Sequence, residues 1–194
     1  VVVVSAMSGA TDNLVNLTNQ ISEKRNLEEY DVVVSSGEQV TAGLLAMAIT
    51  DLSVKSRSLM GWQIPIKTDE THYKAIIENI SNTNIFTLLN NEEIVVIPGF
   101  QGVTSENRIS TLGRGGSDTS AVAIAASIKA ERCDIYTDVD GVYTADPRMV
   151  PKAKKLKKIS YEEMLEMASQ GAKVLQTRSV ALAMKNKLKI NVLS

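Results

Sequence analysis

Residues 111–121 read TLGRGGSDTSA, with three glycines around one arginine directly before an alanine-rich run. Glycine costs stability in regular structure unless the backbone bends unusually or approaches another group closely. The run that follows, TSAVAIAASIKA, has the composition of a closely packed helix, and Ser117 or Asp118 is predicted to cap it. The stretch therefore predicts a tight turn that carries Arg114 and leads into a helix.

Apolar segments on both sides of this stretch alternate between strand and helix patterns. Continuous β-branched runs at 1–4 and within EEIVVIPGFQG (92–102) are typical of strands buried on both faces. Helices are predicted over 11–21, from Ser36 onward, and over 86–89, 161–170 and 179–186; further strands are predicted in 54–59, 63–67, from Cys133 onward and in 188–194. This order predicts an α/β fold in one domain over 1–194, a three-layer sandwich around a mainly parallel open sheet.

Helix starts and turns make the prediction more specific. Thr11 or Asp12 is expected to cap the first helix, and two further starts have capping-box spacing, Ser36 with Gln39 and Ser160 with Glu163. The segment behind Ser36 is apolar nearly all round, which predicts a buried helix. Ligands of parallel sheets bind beyond the carboxyl ends of the strands. The polar turns at 5–11, 98–102 and 137–148 are therefore expected to meet beside residues 111–118.

Composition excludes several functional classes. The 194 residues carry 21 basic and 22 acidic side chains, so the net charge of −1 attracts neither nucleic acid nor an acidic membrane. The lysines at 154, 155, 157 and 158 are predicted to form a solvated face. The single cysteine, Cys133, permits no internal disulfide; the single histidine, His72, excludes a two-histidine metal site and is predicted to lie on the surface.

No apolar run approaches the ~20 residues of a membrane span, and the first residues lack the features of a signal peptide. The sequence opens inside a predicted strand without an initiator methionine, so residues before Val1 are expected to be missing. We therefore expect the protein to be a cytoplasmic enzyme.

The GRGGSD turn combines three features that favour an anion. Glycine exposes backbone N–H groups, the following helix directs a partial positive charge at the turn, and Arg114 adds a planar fork that fits a carboxylate or phosphate. The alternative is an ordinary glycine-rich loop with a solvent-facing arginine. Neither a P-loop pattern nor a dinucleotide-binding G-x-G-x-x-G after a strand is present.

Five sequence blocks together resemble the aspartokinase family of the amino acid kinase superfamily. STLGRGGSD (110–118) resembles its signature, YTDVDGVYTADPR (136–148) its nucleotide-binding segment, and GAKVL (171–175) its late lysine motif. VVVVSAMSGATD (1–12) and SSGEQ (35–39) are similar to its second strand and its glutamate-bearing segment. The family's lysine-glycine-glycine-threonine-serine turn and its C-terminal regulatory domains have no counterpart in residues 1–194.

The resemblance implies a reaction and its reactants. It implies transfer of the γ-phosphoryl group of ATP, with Mg²⁺, to the side-chain carboxylate of L-aspartate, the first step toward lysine, threonine and methionine, in a homo-oligomer. A carboxylate with a pKa near 4 is already ionised and needs no general base. A chain with one histidine is therefore suited to this chemistry. No metal-binding residue is assigned.

The resemblance also implies roles for individual residues. On the substrate side, Arg114 pairs with the α-carboxylate of aspartate and Glu38 accepts from its ammonium, or else Glu38 serves its helix as a cap. The other residues expected around aspartate are Ser5, Thr11, Gly115, Gly116 and Ser117, with helix capping as the alternative for Ser5 and Thr11. Asp118 and Lys173 are the implied catalytic residues, Asp118 by orienting a phosphate-facing lysine, with helix capping as its alternative.

On the nucleotide side, Thr137 and Asp138 are expected at the base or ribose and Tyr143 at the adenine, or as a core anchor. Arg148 and Lys173 are expected at the phosphates, with surface positions as their alternatives. Two rival functions stay open at this point. One is a superfamily kinase for glutamate, acetylglutamate, carbamate or a nucleoside monophosphate, and the other is a non-catalytic subunit with the same fold.

Overall fold

A computed structural model of the chain describes residues 1–22, 24, 26–146, 149–171 and 174–194. Its strands are β1 Val2–Val4, β2 Ser56–Ser58, β3 Ile66–Thr68, β4 Ile77–Ile80, β5 Ile94–Pro98, β6 Gln101–Val103, β7 Ile109–Thr111, β8 Arg132–Tyr136 and β9 Lys189–Leu193. Its helices are α1 Ala10–Ile21, α2 Leu27–Asp51, α3 Thr83–Asn90, α4 Gly116–Ser127, α5 Tyr161–Ser169 and α6 Thr177–Asn186. Groups of one to three strands alternate with groups of one or two helices, which confirms the predicted α/β class.

The first sheet is parallel, with β5 between β1 and β2. Successive residues of a strand point to opposite faces of the sheet, and the apolar residues of β5 are buried on both faces. Val95 and Ile97 pack with Ile85 of α3 and Ile124 of α4. On the other face, Val96 packs with Val4 of β1 and with two alanines of α2, Ala42 and Ala46. Helices therefore cover both faces, which confirms the three-layer sandwich; each fully buried valine or isoleucine contributes roughly 1.5–3 kcal/mol.

A second sheet of order β4-β3-β6-β7 mixes parallel and antiparallel pairing. Its strands β4 and β7 are absent from the sequence-based prediction, and β6 begins inside the predicted turn at 98–102, because short strands among polar residues carry little periodic signal. Gly102 lies in β6 where a Cβ atom would stand 2.6 Å from the carbonyl oxygen of Ile66. This close backbone approach explains why the strand contains a glycine.

The third sheet is the parallel pair β8 and β9. It shares a core with α4, α5 and α6 that includes Val122, Ile135, Met164, Val180 and Leu188. Because Ile124 packs toward the first sheet and Val122 toward this core, α4 connects the two halves of the fold. Within the described residues β1 pairs only with β5 and β8 only with β9.

The predicted starts of α1 and α2 are wrong. Helix α1 begins after Gly9, which has a φ of 76° and no side-chain cap, so neither Thr11 nor Asp12 caps it. Helix α2 begins earlier than predicted, because Asn26 caps it by accepting from the Glu28 N–H at 3.1 Å. Ser36 consequently lies inside the helix, where its hydroxyl donates to the Val33 carbonyl at 2.6 Å.

The capping box of α5 is confirmed. The Ser160 side chain accepts from the Glu163 N–H at 3.2 Å, and the Glu163 carboxylate accepts from the Ser160 N–H at 2.9 Å. Met164 is buried in the core against which Ile159 packs, consistent with a hydrophobic staple. The predicted end near Gly171 also agrees with the structure, since α5 ends at Ser169.

Helix α2 is only partly buried, contrary to the prediction. Its side toward the sheets packs against β1, β2, β5 and β7. Its opposite side exposes Val40, Leu44 and Met47, which are 53%, 49% and 70% exposed. Of the helices in the described residues, α2 is the one whose length and apolar content would suffice to cross a membrane. The side of α2 that packs on the sheets has the contacts of a helix in the core of a globular protein.

Candidate active site

The Arg114 turn takes its shape from glycines in left-handed conformation. Gly113 and Gly115 have φ values of 72° and 70°, a region that other residues rarely adopt. Gly115 is the N-cap of α4 and has no side chain to cap with, so the predicted caps Ser117 and Asp118 instead lie in the first helical turn. Arg114 is exposed and makes no hydrogen bond or ion pair with any described residue.

Several polar turns meet at the carboxyl ends of β1 and β5. The Gly99 N–H donates to the Val4 carbonyl at 2.9 Å, which joins the ends of the two strands. A Cβ on Gly99 would stand 2.9 Å from the Cα of Ser117, so the start of α4 touches the same point. The Ala6 N–H donates to the Glu38 carboxylate at 3.2 Å and brings α2 to the turn after β1. Loops distant in sequence thus form one polar edge.

Glu38 is the most unusual group at this edge. Glu38 is only 4% exposed to solvent. Its Oε1 atom accepts from the Ala6 N–H, whereas its Oε2 atom has no hydrogen-bond partner among the described residues. Burial raises the pKa of the Glu38 carboxyl above its ordinary value, against smaller lowering effects of backbone N–H groups. Glu38 lies well inside α2, so the capping alternative is wrong. A buried carboxylate oxygen without a donor is suited to a cationic ligand group.

Ser5, Ser117 and Asp118 line a cleft of about 570 Å³ between β1, α4 and β8. Burial raises the pKa of the Asp118 carboxyl. The capping alternative for Asp118 is wrong, since Gly115 begins the helix and no side chain caps it. Its carboxyl is therefore available to a group in the cleft. Thr11 lies in the first turn of α1 with its side chain partly exposed.

The predicted nucleotide residues follow the carboxyl end of β8. The Thr137 N–H donates to the Leu193 carbonyl at 2.9 Å, and the Thr137 hydroxyl donates to the Asp138 carboxylate at 3.2 Å. Arg148 and Lys173 lie outside the described residues. Tyr136, the last residue of β8, lines the cleft that also contains Ser5 and Asp118. The end of this strand therefore reaches the opposite side of the same cleft.

Tyr143 belongs to a small charged cluster. Its hydroxyl donates to Asp140 at 3.0 Å, and the Lys155 ammonium lies 3.0 Å from the other oxygen of the same carboxylate. The bond to Lys155 lowers the pKa of Asp140, and the bond to Asp140 raises the pKa of Tyr143. Asp140, Lys155 and the start of α5 line a second cleft, of about 930 Å³. The four lysines at 154, 155, 157 and 158 are exposed, which confirms the predicted solvated face.

Three residues that have no predicted role at the site, Cys133, His72 and Asp31, are largely buried in the structure. Burial, with the nearby Asp134 and Asp118, raises the pKa of Cys133 to about 11, so the thiol stays protonated and unreactive. His72 was expected on the surface, but its side chain is only 11% exposed and its Nδ1 lies 2.9 Å from Asp31. Asp31 itself was not singled out, although it is the acidic residue directly before an apolar run, DVVV.

The comparisons with known proteins agree with this architecture. Residues 1–194 match the sequence profile of the Amino acid kinase family, and the chain belongs to that family. An aspartokinase of Rickettsia felis is 53% identical over 197 residues, which cover all of this chain and 49% of that protein. The chain thus spans about half the length of this curated relative.

Two solved structures are similar over nearly the whole chain. An aspartate kinase from Synechocystis superposes with a TM-score of 0.84 at 44% identity, covering 99% of this chain and 32% of that one. E. coli aspartokinase III, solved in complex with aspartate and ADP, superposes with a TM-score of 0.83 at 30% identity, covering 93% of this chain and 41% of that one. The fold predicted from the five sequence blocks is confirmed.

Proposed function

We propose that this chain is the catalytic domain of an aspartate kinase, which transfers the γ-phosphoryl group of ATP to the side-chain carboxylate of L-aspartate. The observation that carries the proposal is the buried Glu38 carboxylate, whose Oε2 has no donor among the described residues. It lies at the polar edge to which the glycine turn of Arg114 also belongs. The similarity to aspartokinases over the full chain supports the same substrate.

An amino acid substrate carries an ammonium and an α-carboxylate, and the site offers a group for each. Glu38 would accept from the ammonium, and Arg114, which has no described partner, would bind the α-carboxylate in bidentate fashion. Gly115, Gly116 and Ser117 would add contacts at the start of α4, and Ser5 and Thr11 would border the other side. The side-chain carboxylate is then left free to react.

The reacting carboxylate is already ionised at neutral pH, so one of its oxygens would bond to the γ-phosphorus directly while the bond from that phosphorus to the bridging oxygen breaks and ADP leaves. Phosphoryl transfer depends mainly on alignment and on neutralising oxygen charge. ATP would supply the phosphoryl group, and a bound Mg²⁺ would offset the negative charge of its phosphates. No cluster of three or more metal-ligating side chains occurs in the described part of the chain. A magnesium ion would be held largely by phosphates and water with one or two carboxylates, and Asp118 in the cleft is a candidate for one of them.

On the nucleotide side we propose that Thr137 and Asp138 contact the base or ribose and that Arg148 and Lys173 bind phosphates. Tyr143 has its hydroxyl bonded to Asp140, so its ring rather than its hydroxyl would face the adenine. Residues 1–194 would form one amino acid kinase domain, since the family profile matches all of them.

A substrate panel tests the proposal. The intact enzyme is incubated with ATP, Mg²⁺ and, in turn, aspartate, glutamate, acetylglutamate, carbamate or UMP, while ADP release and acyl phosphate formation are followed. We expect turnover with aspartate and none above background with the other four. Turnover only with acetylglutamate or UMP would assign another kinase of the family. A pure protein that binds ATP but phosphorylates nothing would instead be a non-catalytic subunit.

We further propose that the enzyme is a cytoplasmic homo-oligomer without nucleic acid or membrane partners. The support is the exposed apolar stripe of Val40, Leu44 and Met47 on α2, since residues at i, i+4 and i+7 share one helix face. Such a stripe is typical of a surface that another subunit covers. The balanced charge of the chain offers nothing to acidic membranes or nucleic acid.

Met47→Glu is expected to lower the oligomeric state, because a charge would be buried in the contact. The molar mass is measured by light scattering across a range of protein concentrations. Met149→Glu is the matched control, since Met149 is 80% exposed and lies outside α2. An unchanged mass for Met47→Glu would exclude this face as the contact.

A further inference from the structure

Asp31 is a carboxylate with no exposure to solvent, held near the start of α2. Its oxygens accept from the Thr111 N–H at 3.0 Å, the Thr111 hydroxyl at 2.6 Å and the Tyr73 N–H at 2.9 Å. The His72 Nδ1 atom lies 2.9 Å from the same carboxylate. Burying a carboxylate is costly unless it is hydrogen-bonded. Four donors, two from His72 and Tyr73 and two from Thr111, satisfy the Asp31 carboxylate.

These bonds fix the base of the Arg114 turn. Thr111 ends β7, and besides its two bonds to Asp31 its carbonyl accepts from the Ala75 N–H at 2.9 Å. The next residue, Leu112, donates its N–H to the Phe100 carbonyl at 2.9 Å, and its own carbonyl accepts from the Arg178 guanidinium. Every backbone polar group of residues 111 and 112 is therefore bonded immediately before Gly113 turns the chain.

Asp31 also holds the segment against which that turn packs. Tyr73, whose N–H it binds, has a φ of 70° and places its carbonyl oxygen 3.0 Å from the position that a Cβ on Gly113 would occupy. The Tyr73 ring meets Tyr30 of α2 edge-on, with 5.7 Å between ring centroids. One carboxylate thus connects α2, the loop before β4 and the strand that leads to Arg114.

We propose that Asp31 is a positioning residue for binding of the substrate carboxylate. Acting through Thr111 and the packing of Gly113 on Tyr73, it sets the direction in which Arg114 leaves the turn. The inference rests on the proposed function, in which Arg114 binds the α-carboxylate of an acidic amino acid. Asp31 is fully buried and acts through Arg114 rather than on the substrate itself.

Asp31→Asn tests this role on the intact enzyme. The amide keeps the shape of the carboxylate but turns one acceptor into a donor that faces the N–H groups of Thr111 and Tyr73. Displacing a binding group by about 1 Å can cost on the order of a hundredfold in rate. We expect the KM for aspartate to rise about ten- to a hundredfold, while the KM for ATP changes less than about twofold.

A double variant separates positioning from general damage. In an Arg114→Ala background, Asp31→Asn is expected to leave the aspartate KM unchanged within about twofold, because residues that act through one another are not additive. Thr68→Val is the structural control, since the hydroxyl of the 3%-exposed Thr68 bonds Ser110 at 2.7 Å and the Asp69 carbonyl at 2.9 Å, and neither partner belongs to residues 111–116. It is expected to lower stability and leave the aspartate KM unchanged.

Thr111 supplies a second, milder pair of variants. Thr111→Ser keeps the hydroxyl that bonds Asp31 and is expected to bind aspartate as the natural protein does. Thr111→Val removes only that bond and is expected to raise the aspartate KM severalfold. If Asp31→Asn does not fold, this pair carries the test.

The outcomes distinguish the two proposals. A normal aspartate KM in folded Asp31→Asn, together with a raised KM in Arg114→Ala, would overturn the positioning role and leave the proposed function intact. Equal effects of Asp31→Asn in both backgrounds would also overturn it, since Asp31 would then act independently of Arg114. A normal aspartate KM in Arg114→Ala would remove Arg114 from the substrate site and overturn the positioning role, whereas the proposed function would still be decided by the substrate panel.

Discussion

Arg114→Ala is expected to raise the KM for aspartate by about 30-fold to several thousandfold. A buried, hydrogen-bonded charge pair is worth about 2–5 kcal/mol when one partner is truncated, and each 1.4 kcal/mol corresponds to a factor of ten. Arg114 has no partner among the described residues, so its removal breaks no ion pair that stabilises the free enzyme. The KM for ATP should change less than about threefold. Steady-state kinetics with each substrate varied in turn measures both constants.

Arg57→Ala is the matched control for this variant. Arg57 is an exposed arginine whose guanidinium lies 3.2 Å from Glu93, and it lies at β2, outside the polar edge. Its replacement is expected to leave both KM values unchanged. An Arg114→Ala enzyme with an unaltered aspartate KM would show that the glycine turn does not bind the substrate.

Glu38→Gln is expected to weaken aspartate binding and to stabilise the ligand-free protein at the same time. Glutamine keeps an acceptor for the Ala6 N–H but loses the charge that would bind the ammonium. A hydrogen bond to a charged group is worth about 1.5–3 kcal/mol, so the aspartate KM should rise about 10- to 100-fold. The free energy of unfolding should increase by about 1–2 kcal/mol at neutral pH, because a buried charge without a full set of partners is removed.

The stability gain from Glu38→Gln should depend on pH in a defined direction. Burial raises the pKa of Glu38 in the folded protein above its unfolded value, so the folded state binds the proton more tightly. The contribution of Glu38 to stability is therefore fully present below the unfolded pKa and is lost as pH rises through the folded one. The two proteins should approach equal stability toward pH 4 and differ most at pH 7–8.

Urea unfolding of both proteins across this pH range measures the difference. Glu78→Gln serves as the control, because Glu78 is exposed on β4. The stability of the Glu78→Gln variant relative to the natural protein should not follow this pH profile. A Glu38→Gln variant that is less stable than the natural protein at pH 8 would mean that the Glu38 charge has a partner that compensates its burial.

The sequence-based prediction was most accurate where local chemistry decides the structure. Ser160 and Glu163 form their capping box because both partners lie within one helical turn. The run at 94–98 is buried on both faces, as its composition predicts, since helices cover each side. The glycine turn before α4 was located correctly as well, although its cap is Gly115 in left-handed conformation rather than a polar side chain.

The prediction was wrong where a competing cap or a hydrogen-bond partner lies outside the motif itself. Ser36 and Gln39 have capping-box spacing, yet an earlier cap at Asn26 starts α2 and leaves Ser36 inside it. The lone His72 looked like a surface residue because its partner, Asp31, lies 41 positions away in the sequence. Hydrogen bonds between residues so far apart leave no periodic pattern along the chain.

The amino-acid sequence alone determined the α/β alternation, the membership in a kinase family and the residue types at the proposed site, because these depend on composition and short motifs. Only the tertiary structure decided that one oxygen of Glu38 stays without a donor, and that Asp31 bonds the base of the Arg114 turn. Both results follow from burial and from contacts across the fold. Neither burial nor long-range contact is defined until the helices and sheets have packed together.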